Sequence, residues 1–306
     1  MPSQAEIREE VTRQIVEALQ QGVVPWRKPW SALENTGYPM NAVSKKLYQG
    51  INPILLQLAA HKRGYQSRFW ATYRQWADMG LQVLKRPADV PPGKWGTKII
   101  FWKPITTIKK NGDGKEEQKT FPLLREYTVF NADQVEGEAV DKFRVHPPTC
   151  QTVIDYEPAE KVIEATKADI RQLPCDLACY YGPPLDFIQL PLKSLFADLP
   201  SYYDTAFHEL THWTETRLNW TGSYALGELR AQLGSAFLTA AVSIPQVDDR
   251  ALKNVAAYLN SWIKAMQADH KVIFQISSAA SKACDFILSF SRGEHPEEQP
   301  EEVAAV

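Results

Sequence analysis

The segment Ala206-Phe207-His208-Glu209-Leu210-Thr211-His212-Trp213 sets two histidines four residues apart, with a glutamate directly after the first. On a helix of 3.6 residues per turn, positions i and i+4 share a face about 6 Å apart. His208 and His212 can therefore each turn one imidazole nitrogen toward a common metal ion. Glu209 lies beside that line, where a zinc peptidase keeps the carboxylate that takes a proton from the attacking water. Two imidazoles leave a tetrahedral site one protein donor and one solvent position short. Glu228 is the favoured third donor, since Leu226, Leu229, Leu233 and Phe237 place it on an amphipathic second helix. Glu215 and Asp204 compete with it by helical spacing. His270 and His295 are weaker candidates, because one begins a further helix and the other sits in a Pro/Glu tail. Zinc is the expected ion, with manganese or another divalent cation as the alternative that two imidazoles and a carboxylate also accept.

The elements that must hold this chemistry lie in a chain of 306 residues, 44% hydrophobic and 23% charged, ordinary globular composition with room for two cores. No apolar run reaches the length of a membrane span, and the first residues carry neither a basic nor an apolar leader, so a soluble cytoplasmic protein without a membrane partner is expected. Four irregularly spaced cysteines argue against a disulfide framework. The charge is uneven. Residues 1–133 hold 20 Lys/Arg against 12 Asp/Glu, net +8, whereas residues 134–306 hold 14 against 24, net −10.

The basic half also carries six of the nine tryptophans. Cations interleaved with flat rings suit single-stranded nucleic acid, because phosphates need Lys or Arg while unpaired bases stack on aromatic faces. The candidate contacts are Trp26, Arg27, Lys28 and Trp30 in a proline-stiffened loop, then Lys45, Lys46 and Tyr48, then Arg68, Trp70 and Arg74, and finally Trp102 and Lys103. A buried aromatic core with a solvating lysine surface explains the same composition equally well.

Ser3-x-x-Glu6 followed by Ile7, Val11, Ile15 and Ala18 predicts a capped first helix ending at Gly22, and Pro53 to His61 predicts a second. The rings between Arg63 and Arg74 have spacings that suit a short helix. Thr97–Trp102 and Phe121–Phe130, with Asn111-Gly112-Asp113-Gly114 between them, read as a β-hairpin. Asp155–Ile170 reads as a helix, Ser201–Arg217 as the metal helix, and Leu185–Pro191 as an edge strand to which a substrate main chain could add. The expected organisation is an α+β fold with a mixed α/β nucleic-acid-binding domain at 1–135, a linker at 136–152, a metallopeptidase domain at 153–290 and an acidic tail at 291–306.

These motifs together resemble the ArdC-type antirestriction proteins of conjugative plasmids, which share modules with TraC-type plasmid primases. The resemblance rests on Gly22-Val23-Val24-Pro25-Trp26, Asn41-Ala42-Val43-Ser44, Tyr48-Gln49-Gly50-Ile51-Asn52, Tyr127-Thr128-Val129-Phe130-Asn131, the histidine motif, and the stretch from Glu228 to Phe237. It implies an N-terminal single-stranded-DNA-binding domain, a zincin-like metallopeptidase domain related to SprT-type proteases, and protection of incoming plasmid DNA from host restriction. A host protein as peptide substrate and a monomeric state are further expectations; the alternatives are a DNA-binding shield whose peptidase fold is catalytically silent and a cytosolic metallopeptidase acting on protein partners. One departure stands out. The family pattern usually carries two carboxylates four residues apart, and here the second position is Gln232, which accepts a hydrogen bond without bringing charge to a ligating histidine.

Overall fold

In the computed structural model, residues 3–27, 35–110, 116–145, 156–245 and 251–294 are described, with backbone alone at 102–110, 116–123 and 251–257. Helix α1 (Gln4–Gln20) starts as its sequence predicts. The Ser3 hydroxyl accepts from the Glu6 amide and the Glu6 carboxylate accepts from the Ser3 amide, so two otherwise orphaned donors are satisfied reciprocally. Strand β1 (Met40–Asn41) and helix α2 (Asn52–Arg63) follow, then strand β2 (Phe69–Thr72) and the short helix α3 (Tyr73–Asp78). Strands β3 (Gln82–Val83), β4 (Thr97–Lys110), β5 (Glu116–Asn131) and β6 (Val135–Glu136) complete the first part.

The main sheet has the order β1-β2-β5-β4, with β1 parallel to β2 and the other pairs antiparallel. The β4–β5 pair is the expected hairpin. It extends further than its β-branched segments suggested, and its turn residues 111–115 lie outside the described residues. The ring-rich stretch from Phe69 is a strand rather than a helix until Thr72 caps α3. Both faces of β2 are covered. Trp70 packs with Leu56, Tyr65 and Val129, while Phe69 and Ala71 face Trp76 and Phe143.

The second part runs through helix α4 (Glu157–Ala165), strands β7 (Asp169–Leu173), β8 (Cys179–Tyr181) and β9 (Phe187–Pro191), and helices α5 (Leu199–Arg217), α6 (Tyr224–Ala241), α7 (Ala251–Ala268) and α8 (Val272–Arg292). The helix expected at Asp155–Ile170 is shorter, because Lys167 adopts a positive φ and the chain turns into β7. The fold is thus α+β, as the sequence predicts. One apolar cluster joins Ile7, Ile15 and Trp26 to Phe207, Leu233, Trp262 and Ile287, so the first helix is seated among the helices of the second part. No helix among the described residues is long and apolar enough to cross a membrane.

Candidate metal centre

Helix α5 is started by Asp198, whose carboxylate accepts from the Ser201 amide at 2.8 Å, with Pro200 in the first turn where its missing N–H costs nothing. Its buried side presents Ala206, Phe207 and Leu210 to the core and leaves His208 and His212 on a neighbouring face, ring centroids 4.9 Å apart. Helix α6 crosses that face closely because of glycine. A Cβ at Gly234 would meet the Thr211 hydroxyl at 2.5 Å, and one at Gly227 would meet the Glu215 carboxylate at 3.2 Å. This close crossing brings Glu228 to the histidines, one carboxylate oxygen 3.6 Å from His208 Nε2 and the other 3.6 Å from His212 Nε2.

The donor atoms of His208, His212 and Glu228 all lie within 4.8 Å of one another. The two rival donors are engaged elsewhere. Glu215 bonds His212 Nδ1 at 2.8 Å, which turns Nε2 toward Glu228 and makes Glu215 the group that orients the ring. Asp204 receives Arg27 at 3.0 Å and also the Ser235 hydroxyl. Gln232 takes the other side of the same guanidinium at 2.7 Å, so it ties α6 to the N-terminal loop and does not bond a histidine. Its missing charge therefore has no hydrogen bond to a ligating histidine to act through.

Burial pushes the Glu209 carboxyl up to about 7, although the His212 ring and the Tyr180 main chain pull the other way. For Glu228, burial also raises the pKa, but the His208 hydrogen bond and the charges of both histidines outweigh it and leave the carboxyl below its usual range. Arg230 is buried between the helices, donating to the Thr211 carbonyl and the Thr214 hydroxyl, and burial lowers its pKa to about 10. These contacts tie α6 to α5 on either side of His212.

The strand expected to receive a substrate does not have a free edge. β9 is the middle strand of the β7-β9-β8 sheet, paired on both sides. Among the described residues, the unpaired strand edge nearest the centre is that of β8, which the sequence concealed as three residues between turn segments. Tyr180 of β8 bonds Glu209, and the Cys179 thiol, raised by burial, also feels the Glu209 and Glu228 charges. An ion pair from Arg217 to Asp186 at 2.7 Å, with the Tyr180 hydroxyl on the same carboxylate, pins this sheet to the end of α5.

The nucleic-acid candidates scatter. Trp26 and Trp70 are each 1% exposed, the first against Trp262 and the second beneath α2, so neither ring can meet a base without opening the core. Tyr48 is buried with its hydroxyl directed at the Trp70 carbonyl, and Arg27 belongs to the α5–α6 tie. Arg68 is half-buried and donates to the Tyr38 carbonyl. Lys45, Lys46 and Arg74 are exposed, Lys45 with its amine over the rings of Phe69 and Phe143. Lys28 and Trp30, and the side chains of Trp102 and Lys103, lie outside the described residues. Among the described residues of this region the large exposed rings are Tyr73, Phe101 and Tyr127, the last two in an edge-to-face pair at 5.4 Å. Exposure depends on which face the tertiary packing covers: α2 covers Trp70, and Trp262 of α7 covers Trp26.

Residues 5–130 match the model of the N-terminal domain of anti-restriction factor ArdC, and residues 157–281 match that of a zincin-like metallopeptidase. The crystal structure of the antirestriction protein ArdC from plasmid R388, metal-free, is similar with a TM-score of 0.74 and 31% identity, over 94% of this chain and 98% of that one. The Mn(II)-bound structure of the same protein gives 0.69 and 32%, over 93% of this chain and 97% of that one. Among curated proteins, DNA primase TraC of Escherichia coli is 35% identical over 93% of this chain, which spans 27% of the primase. The protein y4eC of Sinorhizobium fredii is 31% identical over 92% of this chain and 91% of its own length.

Proposed function

Because the chain belongs to the family of ArdC antirestriction proteins, we propose that it binds single-stranded DNA in the cytoplasm, protects incoming conjugative plasmid DNA from restriction, and carries a working metallopeptidase centre. The observation that supports the last part is the convergence of three donors of the right chemistry on one point beside a buried carboxylate. Two imidazole nitrogens and a carboxylate fit zinc and also manganese, the ion in the relative's structure. His208, His212 and Glu228 would hold the ion. Bound there, it would supply Lewis acidity that polarises a peptide carbonyl and makes water a better nucleophile near neutral pH.

The chain's own residues do the rest. Glu209 takes the proton of the attacking water and returns it to the departing amine. Glu215 holds the His212 ring in the tautomer that leaves Nε2 free. An extended peptide adding to the edge of β8 would take over the Tyr180 main-chain donor that Glu209 now holds, a role for this strand instead of β9.

Glu209→Gln tests whether hydrolysis serves protection. The variant keeps its fold, metal and DNA binding and loses peptidase activity. Transfer of an unmodified plasmid into a restricting host then reads the outcome. We expect protection to survive, because coating a strand calls on surfaces that share no residue with Glu209. Loss of protection with DNA binding intact would instead make cleavage of a host protein part of the mechanism.

A further inference from the structure

Away from the metal centre, a groove of about 430 Å³ opens between the first sheet and helix α8. Its walls include Tyr48, Ile100 and Phe101 on one side and Phe274 and Ser278 of α8 on the other, with Lys46 at the margin. The floor is rigid. Asn52 clamps the β4 backbone through both amide atoms, to Ile100 N at 2.7 Å and Ile100 O at 2.8 Å, and the Gly50 amide donates to Ser281 of α8 at 2.9 Å. The Asn41 side chain accepts from the amides of Val43 and Ser44, which shapes the loop that carries Lys46.

We propose that this groove is a pocket for one unpaired base of a single-stranded nucleic acid, a site shared by the two halves of the chain; it rests on the DNA-binding reading above and gives it a place. Three features point to that occupant. The volume lies in the range of small-ligand sites, and the walls are apolar with a polar margin, as a flat heteroaromatic ring requires. The Phe101 ring is 47% exposed and held edge-to-face by Tyr127, so an exposed aromatic face stands on one of the residues that line the groove. The charge matches a phosphodiester. Lys46 is the single charged residue among those lining the groove, and Arg125 is the cross-strand partner of Phe101, although the whole chain is net negative. A paired base has both faces and its hydrogen-bonding edge occupied in the duplex, so only a strand with free bases can enter.

The test is fluorescence anisotropy of the full chain with a labelled thymidine oligonucleotide, comparing wild type with Phe101→Ala and Ser278→Trp. Both positions are at the surface, and neither belongs to the metal centre. Losing one stacked base lowers affinity between about fivefold and 150-fold. We expect Phe101→Ala to fall in that interval, and Ser278→Trp, which fills the groove from α8, to fall at least as far. Metal content and melting temperature should stay at wild-type values. An oligonucleotide carrying 4-thiothymidine should crosslink within residues 46–52 or at Phe101. Wild-type affinity in Phe101→Ala together with crosslinks elsewhere overturns the pocket and leaves DNA binding standing. Failure of the wild-type chain to bind any strand overturns both. Thymidine monophosphate that displaces the oligonucleotide at equal concentration would make the groove a free-nucleotide site and overturn the strand assignment.

Discussion

The metal centre and the basic N-terminal region both stand out by residue type and spacing, yet their sequence patterns behave differently on folding. At the centre, His208, Glu209 and His212 sit within five residues of one helix, and their relative geometry follows from helical pitch alone. In the N-terminal region, tryptophans and cations alternate just as suggestively, yet Trp26 and Trp70 are core residues while Phe101 and Tyr127 face outward. Local spacing is sufficient where one element carries the constellation. It fails where exposure is decided by packing between elements, as by α7 over Trp26 and α2 over Trp70.

The sharpest way to break that contrast is to remove a buried ring. Trp26→Ala should cost about 3–5 kcal/mol of stability, as truncation of a buried tryptophan does when its site cannot collapse, measured by chemical denaturation. The loss should appear in the helices of the second part as well, because Trp26 packs on Trp262. If Trp26→Ala kept full stability and lost only DNA affinity, the ring would be a surface contact after all, and composition would have been the better guide.

Next in size is the helix crossing. Gly234→Ala puts a methyl at 2.5 Å from the Thr211 hydroxyl, and relief requires α6 to move off α5. Overpacking of this kind costs about 1–3 kcal/mol, and the displacement should weaken metal binding because Glu228 rides on the moving helix. Calorimetric titration with zinc or manganese checks it. Unchanged affinity would mean that Glu228 is not a ligand. A smaller loss is expected for Glu215→Ala, roughly 10–100-fold in metal affinity with little change in fold, since it orients His212 without holding the ion.

These effects mark how much of the molecule was legible beforehand. The capped first helix, the hairpin and the metal helix were readable, since each depends on residues three or four apart or on a turn. The convergence of Glu228 with the histidines was readable only as a preference over Glu215 and Asp204. What separates the three is the α5–α6 crossing, set by Gly227 and Gly234, and the competing claims of His212 on Glu215 and of Arg27 on Asp204. Strand β8 was not readable, being three half-buried residues without alternation. The role of Arg27 was hidden too, because its partners lie on helices far along the chain.

The smallest expected effect separates the two regions by pH. The sheet beside the metal centre is tied down by Arg217 on Asp186, and that hydrogen bond holds the Asp186 carboxyl below its usual value despite some burial. A folded pKa below the unfolded one gives stability that is fully present above the unfolded value, near 3.9, and is lost as pH falls through the folded value. The pair is partly open to solvent, side chains 27% and 40% exposed, so screening limits it to at most about 1 kcal/mol. The corresponding tie in the first region is Lys45 over Phe69 and Phe143, a cation whose pKa is lowered by burial. Acidification keeps that amine protonated and leaves the contact in place. The difference in denaturation midpoint between wild type and Asp186→Asn should therefore be constant from pH 7 to 5 and shrink toward zero as the carboxylate protonates. The difference between wild type and Lys45→Ala should stay flat over the same range. A flat Asp186→Asn difference down to acid pH would mean that the Arg217 tie contributes nothing to folding and that β8 is held by its strand pairing alone.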